Sequence, residues 1–305
     1  MEWENFRRSD NIEDRRGDDG GGDTGGGGGF GGATGGLGIG TIIILGLISW
    51  GLGIDPRVLI GGAEMANNAR HSSQYGQQTT QPQRQTQRAS GTPTDAMGQF
   101  VAAVLAETED VWTDILPAQK HIQYIKPKLV LFSGQTRSGC GAAQAAMGPF
   151  YCPADKKVYL DLSFFNDMKR KLGGGGDFAY AYVIAHEVGH HVQDQLGILG
   201  KAEAKEQQSS KAQANAISVR IELMADCLAG VWAANADEKY HVLQPGDVEK
   251  AINTAKAIGD DRLEQAAGQR VVPDSFTHGT SAQRVQWLNT GLHSGQIDSC
   301  NTFAR

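Results

Sequence analysis

The spacing of apolar residues predicts a long amphipathic helix after Thr94. Apolar side chains recur every three or four positions there, as they do on one face of an α-helix: Met97, Phe100, Val101, Val104, Leu105, Val111, Trp112, Ile115 and Leu116. The Thr94 hydroxyl suits an N-cap, and Pro117 suits the end of a helix. We therefore expect this helix to be the first element of the folded domain and its apolar face to form part of the hydrophobic core.

Two β-prone runs follow this helix, at 128–133 and 157–162. The second run alternates Val158, Leu160 and Leu162 with Tyr159 and Asp161, which is the pattern of a half-buried strand. A strand at the edge of a sheet can pair with an extended peptide segment. Either 157–162 or the loop 140–151 could supply that edge, and an ordinary structural strand fits the same pattern.

Three further helices are predicted, at 164–172, 179–195 and 201–236, with glycines 173–176 as the turn between the first two. Asp177 suits the N-cap of the second, and Gly197 suits a stop after it. Helices that outnumber short strands indicate an α+β fold that is mainly helical. We expect a small sheet beside two central helices that face each other.

The first 92 residues have a different composition. Glycines concentrate in 1–36, which we predict to be a disordered tail because it has little apolar content. Residues 37–54 are uncharged and apolar throughout, which favours one transmembrane helix. The Gln, Ser and Thr-rich stretch 55–92 is typical of a polar linker. The folded domain would then occupy 93–305.

Charge bears on topology and on partners. Four arginines precede the apolar run and two follow it, a weak bias that places the N-terminus in the cytoplasm and the folded domain outside it: Arg7, Arg8, Arg15 and Arg16, then Arg57 and Arg70. The net charge of −6, without a basic stripe, argues against nucleic acid as a partner. The sequence does not indicate an oligomeric state.

Four cysteines form an even set, which suits disulfides in an oxidising compartment. The spacing does not determine their connectivity, and free buried cysteines are the alternative. We favour Cys140 with Cys152, and Cys227 with Cys300.

The candidate chemistry lies in 179–195. His186 and His190 are one helical turn apart on one face, where both imidazoles can hold one metal ion. Glu187 reaches the same side and can act on water without binding the metal. His191 is about 140° from His186 around the helix and should not bind the same ion. The alternative is a buried helix whose histidines are ordinary core residues.

Catalytic zinc usually has three protein ligands, so a third must be found. Glu222 and Asp226 are again one turn apart, among apolar neighbours, so that Glu222 can bind the metal while Asp226 orients a histidine. Cys140 is the rival, since peptide deformylases use an upstream cysteine. Glu203 and Glu206 are less favoured because their neighbours are polar.

A polar loop near the C-terminus carries His278 and Arg284, before a helix capped by Thr280 or Ser281. A loop histidine can donate to the oxyanion that forms when a peptide carbonyl is attacked, and Arg284 can support it or position substrate. A structural histidine at a helix entry would have the same sequence appearance.

Four separated blocks carry a resemblance to a known family: HEVGHHVQ, RIELMADCLAGVWA, FTHGTSAQRVQWL and GCGAAQAAMGPFYCPADKKVYLDLSFF. Together they resemble the bacterial neutral zinc metallopeptidases, which are membrane-anchored, and more distantly the gluzincins. The resemblance implies a zincin-like domain with Zn²⁺ on His186, His190 and Glu222. It implies Glu187 as general base and acid, Asp226 orienting His186, and His278 facing the oxyanion.

Residues and resemblance together predict a zinc-dependent endopeptidase that cuts peptides or unfolded proteins. The expected location is a bacterial inner membrane, crossed once, with the peptidase domain on the periplasmic side. The alternative is a membrane-tethered binding or scaffold protein whose zinc is structural or whose activity is latent.

Overall fold

The long helix predicted after Thr94 is α1, Ala96–Lys120. Its N-cap is Asp95, whose side chain accepts a hydrogen bond from the Gly98 backbone N–H, so the expected cap is wrong by one residue. Pro117 lies inside the helix, which ends instead at His121 in a left-handed conformation. Almost every residue between 98 and 116 is buried, as expected for core.

The computed structural model describes residues 1–17, 93–171 and 175–304. The predicted transmembrane run 37–54 and the linker 55–92 lie outside these residues, as does 18–36 of the predicted tail. None of the helices that the model describes is both long enough and apolar enough to span a bilayer.

Seven helices follow α1 in the described part of the chain. They are α2 (Ser163–Lys171), α3 (Asp177–Gln195), α4 (Ile198–Glu206), α5 (Lys211–Tyr240), α6 (Asp247–Ala257), α7 (Asp260–Ala266) and α8 (Ser281–Ser294). The helix predicted at 201–236 is therefore two helices, because Ser210 begins α5 with a capping box. Asp177 is the first residue of α3 and not its cap, which is Gly176.

A four-stranded sheet packs beside the helices. Its strands are β1 (Ile12–Asp14), β2 (Lys128–Phe132), β5 (Phe150–Cys152) and β6 (Lys157–Asp161), in the order β1-β2-β6-β5. The hairpin of β3 (Gln135–Ser138) and β4 (Gly141–Gln144) forms a separate two-stranded sheet. Since β6 pairs on both sides, the predicted substrate edge cannot be 157–162. The two edge strands of this sheet are β1 and β5, and β5 overlaps the other candidate, the loop 140–151.

The N-terminal segment corrects one prediction. Residues 1–17 are not disordered, because β1 pairs in parallel with β2 and buries Ile12 to 1% exposure. The Ser9 hydroxyl and the Asn11 amide both donate to the carboxylate of Glu109 on α1, at 2.5 and 2.8 Å. The fold therefore includes a strand that precedes residues 18–92 in sequence.

This pairing also corrects the predicted single-pass topology. Residues 12–14 and 129–131 are hydrogen-bonded neighbours in one sheet, so they lie on the same side of any membrane. One crossing between 17 and 93 would place them on opposite sides. A cytoplasmic N-terminus with the folded domain outside is therefore incompatible with β1.

Close helix packing forms the centre of the domain. A Cβ added to Gly189 on α3 would lie 3.1 Å from the Ala225 carbonyl oxygen of α5, so glycine permits the approach of these helices. Gly291 on α8 is tighter still, with the Cys227 carbonyl oxygen only 1.9 Å from an added Cβ. Both favoured disulfides are present, Cys140–Cys152 and Cys227–Cys300. The second joins α5 to the chain end.

Candidate metal centre

Two adjacent helices bring three candidate metal ligands together. His186 and His190 project from one face of α3, and Glu222 faces them from α5. His186 Nε2 lies 3.2 Å from Glu222 Oε2, and His190 Nε2 lies 3.3 Å from Glu222 Oε1. One donor atom from each of the three residues falls within 4.8 Å of the others.

These residues fit a zinc ion. Two ligand atoms that bind one tetrahedral Zn²⁺ at about 2.0–2.2 Å stand about 3.4 Å apart, close to the separations here. His190 Nε2 and Glu222 Oε1 are buried and make no hydrogen bond, although each lies near the other. Buried polar atoms are rarely left unsatisfied. A cation between them accounts for both.

Asp226 orients His186 through Nδ1, the ring nitrogen that does not face Glu222. It is fully buried, and its Oδ1 lies 3.0 Å from His186 Nδ1 and 2.6 Å from the Tyr182 hydroxyl. Arg284 donates to both oxygens of Asp226, through Nε and Nη2, at 2.9 Å each. Because Asp226 accepts from Nδ1, the Nε2 of His186 is turned towards Glu222.

The charges of the ligand set reinforce one another. Burial alone would lower the pKa of His186, but its hydrogen bonds to Asp226 and Glu222 raise it to about 10. Burial alone would raise the pKa of Glu222, but the two histidines hold it well below its usual range. Glu222 is therefore an anion, as a metal ligand must be.

Glu187 lies beside these ligands without joining them. It is 7% exposed, and burial raises the pKa of its carboxyl, opposed by the two neighbouring histidines. The Tyr151 backbone N–H, on the edge strand β5, partly offsets this rise in the pKa through its hydrogen bond.

His278 is buried and oriented by a carboxylate that the sequence analysis missed. Asp260 Oδ1 lies 3.0 Å from His278 Nδ1, while Oδ2 accepts from the backbone N–H groups of Thr277, His278 and Gly279 at 2.7–3.1 Å. Burial lowers the pKa of His278, but Asp260 and then Glu222 raise it.

The structure also shows the contacts of three other candidate residues. Arg284 contacts Asp226, Tyr182 and the Ile258 carbonyl, so it supports the carboxylate that orients His186. Cys140 is in a disulfide and cannot be the third ligand. His191 is separate from the metal residues as expected, and it is buried between the Tyr151 hydroxyl and the Ile125 carbonyl.

Comparison with known proteins agrees with this geometry. A family model described as "Putative neutral zinc metallopeptidase" matches residues 1–303. The Escherichia coli (strain K12) protein named "Uncharacterized protein YpfJ" is 47% identical over 306 residues, which is 100% of this chain and 99% of the relative. "Uncharacterized protein Rv2575" of Mycobacterium tuberculosis is 42% identical over 214 residues, covering 67% of this chain and 70% of the relative. No solved structure matches.

Proposed function

Because the chain belongs to the neutral zinc metallopeptidase family, we propose that it is a zinc-dependent endopeptidase that cuts peptides or unfolded proteins. The observation that carries the proposal is the convergence of His186, His190 and Glu222 around one point, with Glu187 beside them. A bound zinc ion supplies Lewis-acid activation of water and of the scissile carbonyl.

The residues of the chain divide the remaining work. Glu187 takes a proton from the attacking water and returns it to the leaving amine, a role suited to a carboxylate whose pKa is raised by burial. His278 donates to the oxygen that gains charge at the carbonyl, with Asp260 holding its ring in place. Asp226 holds Nδ1 of His186 and so keeps the metal-binding nitrogen, Nε2, directed at Glu222.

The edge strand β5 is the best candidate for aligning the substrate. It is an edge strand of the sheet, and its Tyr151 N–H lowers the pKa of Glu187 in part. An extended peptide laid along this edge would bring its carbonyl to the same carboxylate. Disulfide Cys140–Cys152 ties the β3–β4 hairpin to β5, so the hairpin borders this path.

A structural or latent zinc site is the competing function. Structural zinc is normally enclosed by four protein ligands, whereas a catalytic ion keeps one position open. Within the described residues, only His186, His190 and Glu222 gather as a potential ligand set. Three ligands favour the catalytic interpretation.

Removing and restoring the metal tests the proposal. The full chain, stripped with a chelator, should lose cleavage of an unfolded protein substrate and regain it when Zn²⁺ is added. The full chain is required because a fragment beginning near residue 93 would lack β1 and the contacts of Ser9 and Asn11. Zinc that binds without any cleavage would favour the structural alternative.

Membrane attachment through 37–54 remains part of the proposal, with a different topology. Two disulfides suit an oxidising compartment, so we place the peptidase domain outside the cytoplasm. Since β1 belongs to the same sheet, residues 1–17 would be there too.

Thiol labelling tests this topology. All four native cysteines are paired, so a cysteine introduced at exposed Asn5 or Gln208 is the sole free thiol. A membrane-impermeant thiol reagent added to intact cells should label Asn5→Cys and Gln208→Cys to the same extent. Labelling of Gln208→Cys alone, with Asn5→Cys reached only after permeabilisation, would restore the single crossing.

A further inference from the structure

A second buried side chain contacts the ligand set without binding the metal. Gln193 lies one turn after His190 on α3 and is fully buried. Its Oε1 is 2.9 Å from His190 Nδ1, and its Nε2 is 2.7 Å from the Ile221 carbonyl oxygen on α5. Gln193 therefore links the ligand His190 to Ile221, the residue directly before the ligand Glu222.

The Ile221 carbonyl determines which way this amide faces. A carbonyl oxygen can only accept a hydrogen bond, so the Gln193 NH₂ group must point at Ile221. The Gln193 oxygen is then the atom that meets His190 Nδ1. An oxygen acceptor requires a proton on that nitrogen, so in the neutral ring, the form that binds a metal, the lone pair lies on the opposite nitrogen, Nε2.

We propose that Gln193 is a positioning residue that fixes the Nδ1–H tautomer of His190 and so directs Nε2 at the metal. His190 Nε2 is the buried nitrogen without a hydrogen bond, 3.3 Å from Glu222 Oε1. The chain of contacts from Ile221 through Gln193 to His190 sets the availability of this nitrogen before any metal arrives. The proposal rests on the zinc site of the proposed function.

The two histidine ligands are therefore supported by different chemistry. His186 donates to Asp226, a carboxylate that also neutralises Arg284. His190 donates to a neutral amide, whose other end is held by backbone. The neutral amide of Gln193 orients the ring of His190 without adding a negative charge beside Glu222. The carboxylate of Asp226, which orients His186, does carry such a charge.

Substitution of Gln193 distinguishes positioning from simple packing. Gln193→Leu removes both hydrogen bonds at similar volume and should weaken zinc binding about 10 to 100-fold, as measured by competition with a chelator. Gln193→Glu keeps an acceptor for His190 but cannot donate to Ile221 when ionised. It should recover most of the zinc affinity while lowering the melting temperature of the metal-free protein.

Nitrogen NMR of the histidine ring gives a readout that needs no metal. In the metal-free wild type, His190 should appear as the Nδ1–H tautomer, and in Gln193→Leu as a mixture of both tautomers. The matched control is Gln195→Leu on the same helix, which removes a bridge to the Ile125 backbone away from the site. It should leave both zinc affinity and the His190 tautomer unchanged.

The outcomes separate this proposal from the proposed function. Zinc affinity in Gln193→Leu that matches Gln195→Leu, with an unaltered tautomer, would overturn the positioning role. Equal loss of zinc affinity in Gln193→Leu and Gln193→Glu would overturn it as well. Gln193→Glu keeps the acceptor for His190, so the shared loss would come from the missing hydrogen bond to Ile221. A chain that binds zinc yet cleaves nothing would contradict the peptidase and leave the role of Gln193 intact.

Discussion

Replacing Glu187 by Gln is expected to lower peptide cleavage about 10² to 10⁴-fold, which is the usual contribution of a positioned general base. Zinc affinity should stay close to that of the wild type. Glu187 is not among the three residues whose donor atoms converge, so its loss leaves the ligand set complete. Glutamine has the same shape and still accepts from the Tyr151 N–H.

The burial of Glu187 gives the physical reason for this effect. A raised pKa makes the carboxylate a stronger base than one in water, and the glutamine amide cannot take a proton at all. Zinc content and cleavage of an unfolded protein should be measured on the same preparation. Cleavage within a few-fold of the wild type would remove Glu187 from the mechanism.

His278→Ala provides the matched comparison. It removes a donor and retains the base, so a smaller loss of about 10² to 10³-fold is expected, with zinc still bound. Asp260 would then have lost only its side-chain partner, since the three backbone N–H groups continue to donate to it. The loop should therefore keep its shape.

The second large effect is expected at Asp226. In Asp226→Ala, the buried guanidinium of Arg284 loses both of its 2.9 Å contacts to the carboxylate, which should destabilise the protein by about 3–5 kcal/mol. His186 loses its orienting acceptor at the same time, and zinc should bind about 10 to 100-fold more weakly. Thermal unfolding and chelator competition measure the two effects separately.

A double variant separates charge burial from histidine orientation. Asp226→Ala with Arg284→Met removes the unpaired buried charge and should recover much of the lost stability. It should not recover zinc affinity, because His186 Nδ1 still lacks its acceptor. Wild-type stability and zinc affinity in Asp226→Ala alone would show that the Asp226 network has no role in the site.

Local patterns were sufficient to predict much of this molecule. One-turn spacing on a helix determines that His186 and His190 share a face, and the same spacing relates Glu222 to Asp226. Apolar periodicity predicted α1, and its ends were wrong by only a few residues. Helix ends depend on capping, which periodicity does not show. The favoured cysteine pairs are also present, although spacing alone could not decide between them.

Contacts between distant segments were not predictable in this way. β1 contains only three residues after a polar stretch, and it is stabilised by pairing with a strand more than a hundred residues later. Composition therefore favoured disorder for all of 1–36, an interpretation that fails for 1–17. Pairing across such a separation depends on tertiary context, which overrides the local composition.

Residues that support the site were missed for a similar reason. Asp260 is the first residue of α7 and resembles an ordinary helix-start acid, yet it holds His278 in place. Gln193 follows His190 by three positions, a spacing that places both on one helix face. That spacing was a usable signal for Gln193. For Arg284, only the packing of α8 on α5 shows that it faces Asp226.

Titration of zinc into the metal-free full chain tests the central claim most directly. Bound zinc and the rate of cleavage of an unfolded protein are measured at each addition, for the wild type and for Glu187→Gln. We predict that the wild-type rate rises in proportion to bound zinc and saturates at about one ion per chain, as three convergent ligands imply. Glu187→Gln should bind the same amount of zinc, with a rate about 10² to 10⁴-fold below that of the wild type. Tight binding of one zinc without wild-type cleavage, or cleavage that does not depend on zinc, would contradict the account.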